Sequence, residues 1–218
     1  MLKKLYNHLF CQPHMARRIP VLLLSVIVMG VCVEVFTRLD VGTDPCTVFN
    51  AAFSQNVLGW PGIGTWQLLF NVILLIGLFC LKEAKRIGLG SLANMVLVGY
   101  SKDATEWVFD QLGLLVPGAL SLPVVIPCFI VATALFLVAV SFYMVVELGT
   151  APYDAISQII SARLPKVPFA VIRICFDILV TAIGLLCRGT VGVFTVAACF
   201  FLGPVISWIA AKFRPWFN

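Results

Sequence analysis

Arg173 and Asp177 stand four residues apart inside an otherwise apolar run, Phe169 to Leu186. On a helix that spacing puts both on one face. A charge at the centre of a lipid-crossing helix costs roughly 2.5–3.5 kcal/mol on insertion scales, so the pair should face the interior of a bundle. There Asp177 can carry a proton or hold Arg173, and Arg173 can meet an anionic solute or only neutralise Asp177. The basic-before-acidic order is the weaker one for neighbours on a helix, so a third partner is expected, either Asp154 or a ligand. The corresponding run, Thr65 to Leu81, carries Gln67 and Asn71 at the same spacing.

A second group of polar residues follows a repeated turn. Val41-Gly42-Thr43-Asp44-Pro45 and Leu148-Gly149-Thr150-Ala151-Pro152 both read Gly-Thr-x-Pro. Proline suits the first position of a helix, and Asp44 is a good cap just before it. The short helices these turns open carry matching polar stripes, Thr47, Asn50 and Ser54 in the first and Asp154, Ser157 and Ser161 in the second. A helix lying flat in headgroups usually bears Lys and Arg on its polar face. These bear hydroxyls, an amide and one carboxylate, which favours a stripe lining a cavity, where broken backbone is tolerated at membrane depth. Their N-terminal N–H groups would suit a carboxylate, phosphate or sulfate. The plainer alternative is that both turns cap helices at the interface and bind nothing.

The elements that must position these groups are lipid-facing. Of 218 residues, 61% are hydrophobic and 11% charged, and the mean hydropathy is +1.04. No soluble domain hides that much apolar surface, so the chain is expected to be an all-α polytopic membrane protein. Its net charge of +5 sits in short clusters beside apolar runs and reads as topology, not as a nucleic-acid patch. The spans expected are Ile19 to Thr37, Thr65 to Leu81, Ile87 to about Phe109, Leu122 to Val146, Phe169 to Leu186 and Val191 to Ala211. Short broken or re-entrant helices over 45–58 and 152–163 interrupt them. In the third span Lys102, Asp103 and Glu106 suggest a helix that climbs out into headgroups or water, and Glu34 and Glu147, near span ends, read as interfacial.

With six crossings, Lys3, Lys4, Arg17, Arg18, Lys82, Lys85, Arg86, Arg163, Lys166, Lys212 and Arg214 share one side, which the positive-inside rule makes cytoplasmic. Residues 1–18 and 212–218 are then cytoplasmic tails, 19–110 and 122–211 are two three-span repeats, and 111–121 is an extracytoplasmic linker. The basic start of the chain runs into an apolar stretch without a small-residue cleavage site and reads as a retained first span. Three spans per repeat is an odd number, so the second repeat is expected upside down relative to the first. The downstream echo of Ile87-Gly88-Leu89-Gly90-Ser91 in Val191-Gly192-Val193-Phe194-Thr195 supports the duplication.

Other chemistries find no foothold in the residues. The eight cysteines form no C-x-x-C pair, so no metal or redox centre is expected. The two histidines, His8 and His14, lie in the N-terminal tail, and there is no H-E-x-x-H, G-x-S-x-G or P-loop. We therefore expect neither an enzyme nor a cofactor. The small residues Gly189, Gly192, Gly203, Ala197, Ala198 and Ala210 would let the sixth span pack closely, and Pro204 would kink it.

Gly189-Thr190-Val191-Gly192-Val193 through Leu202-Gly203-Pro204, the Arg173–Asp177 pair and the twin Gly-Thr-x-Pro turns resemble the YczE/YyaS/YitT-like integral membrane proteins. The resemblance runs from about Ile19 to Ala211. The chain departs from that pattern at Cys46-Thr47, where an aromatic-Asp pair is usual, and at Phe194, where glycine is usual. What the resemblance implies is a multi-pass bacterial inner-membrane protein of the permease kind. Residues and resemblance together lead us to expect a permease or secondary transporter for a small anionic or zwitterionic solute. Its site would lie between the repeats, lined by Thr43, Thr47, Asn50, Gln67, Asn71, Thr150, Asp154, Ser157, Ser161, Arg173 and Asp177. The alternative is a non-transporting membrane scaffold or regulatory partner. A homodimer is expected on the ground that so small a bundle gains from a second copy.

Overall fold

In a computed structural model of the chain, residues 15–60, 62–83 and 86–213 are described. The expectations placed on the tails, 1–14 and 214–218, lie outside these residues. The described residues are all helical or loop, with no strand among them. In chain order the helices are α1 (Met15–Arg38), α2 (Pro45–Ala52), α3 (Ile63–Cys80), α4 (Leu89–Ala93), α5 (Gly99–Leu112), α6 (Leu122–Val145), α7 (Pro152–Arg163), α8 (Phe169–Leu186), α9 (Val193–Ala197) and α10 (Gly203–Phe213). π-Helical turns follow α2 over Phe53–Leu58, join α4 to α5 over Asn94–Val98, and join α9 to α10 over Ala198–Leu202.

Five helical stretches are long and apolar enough to cross a bilayer: α1, α3, α6, α8 and the run Val193–Phe213. In none of them is more than 44% of the apolar window buried by protein, so side chains such as Ile73, Ile130, Leu135 and Leu179 point outward. That surface needs lipid as its solvent. The chain is a polytopic helical membrane protein. The stretch from α4 through α5 falls outside the apolar set because its second half carries Lys102, Asp103, Glu106 and Asp110.

Glu106 and Asp110 keep side chains 47% and 60% exposed, as a helix climbing out of the apolar layer requires, but Lys102 turns inward. Lys102 is 3% exposed and Glu34 1%. The Lys102 ammonium lies 3.2 Å from Glu34 and also pairs with Glu106. Arg38 bonds Glu34 at 2.6 Å and Asp110 at 2.6 Å. The network ties α1 to α5, so Glu34 is buried between these two helices. The reason is opposite charge on facing helices, which a reading of one run at a time misses. Glu147 does lie on the exposed surface.

The element pattern of residues 15–112 recurs in 122–213. α1 and α6 have 24 residues each, and α3 and α8 have 18 each. Lys82 and Arg188, just past α3 and α8, adopt φ of 60° and 61°, and Asp40 and Glu147, just before the Gly-Thr turns, adopt 52° and 50°. The Gly88 N–H donates to Ser91 Oγ and the Gly192 N–H to Thr195 Oγ1, so α4 and α9 open with the same cap. Equal conformations at equivalent positions of different sequence show that the two stretches fold alike.

The two stretches interlock through those starts. The Gly90 N–H donates to the Leu148 carbonyl at 2.7 Å, and the Phe194 N–H to the Val41 carbonyl at 2.9 Å. Each Gly-Thr turn thus pairs with the start of α4 or α9 in the other stretch. Gly42 (φ +83°) and Gly149 (φ +114°) make this possible, since a side chain at either would be strained and would sit 2.5 Å from the Gly192 or Gly88 backbone. The core at this junction is aromatic: Phe36 of α1 stacks on Phe194 of α9 at 4.1 Å and meets Phe136 of α6 edge-on at 5.8 Å. α2 packs on α8, and α7 packs on both α3 and α8.

Candidate functional site

Both short helices begin at one central cavity. The local sequence explains why. Asp44 caps α2, accepting from the Thr47 N–H at 3.2 Å and the Thr47 hydroxyl at 2.7 Å, and Pro45 and Pro152 open α2 and α7. The loops that precede them are held against the starts of α9 and α4, so the two helix starts converge. Around them is a cavity of about 80 Å³ whose polar lining is Asp44, Cys46, Thr47, Gln67, Asn94, Tyr153, Asp154, Arg173 and Asp177.

Arg173 is the hub. Its Nη1 donates to Asp154 Oδ1 at 2.5 Å and its Nε to Asp177 Oδ2 at 2.9 Å. Asp177, 2% exposed, accepts a second bond from the Tyr153 hydroxyl at 2.7 Å. The guanidinium carbon lies 5.3 Å from the Tyr153 ring centre, within the range of a cation–π contact. A third partner for the Arg173–Asp177 pair, anticipated from the unfavourable order of the two charges, is thus Asp154. Charge-assisted bonds of this kind are the strong ones, and a guanidinium fork holds two carboxylates in fixed geometry.

Of the residues proposed from the sequence, Thr47, Gln67, Asp154, Arg173 and Asp177 line this cavity. Thr43 and Thr47 line a second cavity of about 110 Å³ beside Asp40, Gln55, Asn56 and Arg188, so Thr47 stands on the wall between the two. Asn50, Asn71, Thr150, Ser157 and Ser161 line neither. Most of these satisfy backbone instead. Asn50 and Asn71 donate to carbonyls one turn back, of Cys46 and Gln67, at 2.9 Å each, and the Ser157 hydroxyl donates to the Asp154 carbonyl. Periodicity marks a polar face but does not say whether its groups meet a ligand or their own helix. The Thr150 carbonyl accepts from Ser91 Oγ at 2.6 Å, a structural bond of the interlock.

Four lining residues were not among the candidates. Asp44 was read only as a helix cap, and it is both cap and cavity wall. Tyr153 and Cys46 sit beside selected residues in the turns. Asn94 is an amide in an apolar run, the signal that selected Gln67 and Asn71 and was overlooked here. Among the described residues no group of three His, Cys, Asp or Glu is placed to hold a metal ion.

A family profile described as a family of unknown function (DUF6198) matches residues 16–211. The chain belongs to that family. No curated protein and no solved structure matches it. The DUF6198 match takes in every residue that lines the central cavity, from Met29 to Leu202.

Proposed function

We propose that this chain is a permease or secondary transporter of the bacterial inner membrane, whose small solute crosses through the central cavity. The observation that carries the reading is the cavity itself: charged and amide side chains from both stretches converge on one hollow inside a bundle whose outer surface is apolar. Interior polar groups at membrane depth mark solute and ion paths. The likeness to the YczE/YyaS/YitT-like proteins points the same way.

In this reading α1, α3 and α4–α5 form one three-span repeat, and α6, α8 and α9–α10 a second, inverted one, with both ends of the chain cytoplasmic. The recurrence of helix lengths, caps and left-handed residues supports duplication, and the odd number of spans supplies the inversion. A site between inverted repeats, at broken helices, is where secondary transporters place their solutes. The second cavity, parted from the first by Thr47, then serves as a vestibule on the extracytoplasmic side. The lipid bilayer and, for shielding so small a bundle, a second copy of the chain are the partners this reading calls for.

Between an anionic and a zwitterionic solute, the geometry favours the zwitterion. The N-terminus of α2 is already occupied by the carboxylate of Asp44, and the first turn of α7 carries Asp154. A free anion would meet these before it met a helix dipole. Uptake into proteoliposomes by the purified chain, lost in Arg173→Ala and in Asp177→Asn, tests the proposal. Full cellular activity in both folded variants would instead assign the pair to structure and favour a non-transporting scaffold.

A further inference from the structure

The charge balance of the central cavity says more about its occupant, a step that rests on the permease reading. Three carboxylates, Asp44, Asp154 and Asp177, line it against one cation, Arg173. Asp177 has both oxygens engaged, one by Tyr153 and one by Arg173. Asp154 has its Oδ1 engaged by Arg173, and no bond to its Oδ2 is found among the described residues. The Asp44 carboxylate accepts from the Thr47 N–H and hydroxyl and pairs with no cation among the described residues. A carboxylate taken out of water without a counter-charge is strongly disfavoured and takes up a proton or a cation, so a positive group entering the site is favoured.

Two uncharged side chains independently call for a polar partner from the cavity, and each has an oxygen to offer an N–H donor. Gln67 is 7% exposed and Asn94 8%, and both line this cavity. No hydrogen-bond partner of either carboxamide is found among the described residues. Buried amides are ordinarily paired, and here the cavity is the place from which a partner can come. The remaining wall is apolar, with Met29, Val33, Val98, Phe136, Val140 and Leu202.

We propose that the cavity recognises a small organic ammonium ion. Its three N–H groups donate to Asp154 Oδ2, to Asp44 and to the carboxamide oxygen of Gln67 or of Asn94, and its hydrocarbon part lies against the apolar wall. An inorganic cation would leave that wall without a partner, and an anion would face an excess of carboxylate. A carboxylate elsewhere on the solute is tolerated, because Arg173 has an Nη2 to offer, but it is not required.

Cys46 lines the cavity and is a built-in reporter. In the full-length chain with Cys46 as its sole cysteine, purified in detergent, the rate of modification by methyl methanethiosulfonate is measured with propylammonium, β-alanine, propionate or sodium ion added at equal ionic strength. Propylammonium and β-alanine are expected to slow the reaction, by about tenfold once either exceeds its Kd tenfold. Propionate and sodium are expected to leave it unchanged. Asp154→Asn and Gln67→Leu, each checked for a cooperative thermal transition, should abolish or weaken the protection.

Protection by propionate or by sodium equal to that by propylammonium overturns the proposal, as does modification that none of the probes slows. In those cases the permease reading stands and only the solute class is wrong. A Cys46 that does not react in the absence of any probe even at alkaline pH, where the thiolate forms, means that the reagent does not reach the cavity, and it overturns both.

Discussion

Removing the guanidinium of Arg173 should cost the fold far more than the loss of one surface ion pair. In Arg173→Met the hydrocarbon stem is kept, so packing changes little, and the two carboxylates lose their common partner. Asp154, with a side chain 20% exposed, can turn toward water. Asp177, with a side chain 2% exposed, cannot, and keeps only the Tyr153 bond. Stranding one member of a buried pair costs about 3–5 kcal/mol, and since Asp154 escapes we take the lower end, about 3 kcal/mol. For a chain of this size each kcal/mol is worth roughly 2–4 °C, so the melting temperature in mild detergent, followed by tryptophan fluorescence, should fall by roughly 6–12 °C. The double variant Arg173→Met/Asp177→Asn removes the stranded charge and should recover most of that loss. Comparing the single and double variants in a thermodynamic cycle isolates the coupling. A melting temperature within about 1 °C of the parent for Arg173→Met, or a double variant no more stable than the single, would refute the argument.

Three further outcomes follow from the same geometry. Gly88→Ala and Gly192→Ala each drive a methyl group into the backbone of the opposite Gly-Thr turn and should lower the yield of folded protein alike, whereas Gly59→Ala, at φ +72° with open space around it, should cost only about 1 kcal/mol from backbone strain; equal yields for all three would contradict the interlock. Lys102→Met leaves Glu34 buried beside Arg38 alone and should destabilise by roughly 3 kcal/mol, with Glu34→Gln in the same chain restoring part of it; a neutral Lys102→Met would show that the network is not buried in the membrane-embedded protein. For topology, a cysteine at Ala119 should react with an impermeant maleimide in intact cells and one at Lys166 only after permeabilisation; the reverse pattern, or labelling of both from outside, would exclude six crossings with cytoplasmic ends.

Much of this architecture was legible in the residues because lipid leaves few options. An apolar run long enough to span must be helical, and each of the five apolar stretches lies where hydropathy put it. The Gly-Thr-x-Pro turns were legible too, since Pro45 and Pro152 mark helix starts by covalent geometry. The cavity was only half legible. Arg173, Asp177 and Gln67 announce themselves as polar residues in apolar runs, but Asn50 and Asn71 look the same in sequence and spend their amides on backbone carbonyls. Which of two equivalent amides faces a hollow depends on helix rotation, and that is set by neighbours far away in the chain. The α1–α5 ion network was hidden for the same reason: Glu34 and Lys102 each look like the end of a span until the helices are laid side by side. The π-helical turns at Asn94–Val98 and Ala198–Leu202 have no residue signature beyond the glycine that follows each.

The asymmetry between the two stretches is itself informative. Corresponding positions carry Gln67 and Asn71 on α3 but Arg173 and Asp177 on α8, so α8 brings charges to the cavity where α3 brings only the carboxamide of Gln67. Were both sides charged, each guanidinium would find a carboxylate across the cavity, and the hollow would close into a self-satisfied salt-bridge network with nothing left to offer a solute. Were both neutral, no group would select for charge. With Arg173 held between Asp154 and Asp177, and Asp44 and the two carboxamides left with capacity, the site keeps an unbalanced half. That imbalance costs stability in the empty protein, and on the ammonium proposal it is relieved when the positive group enters.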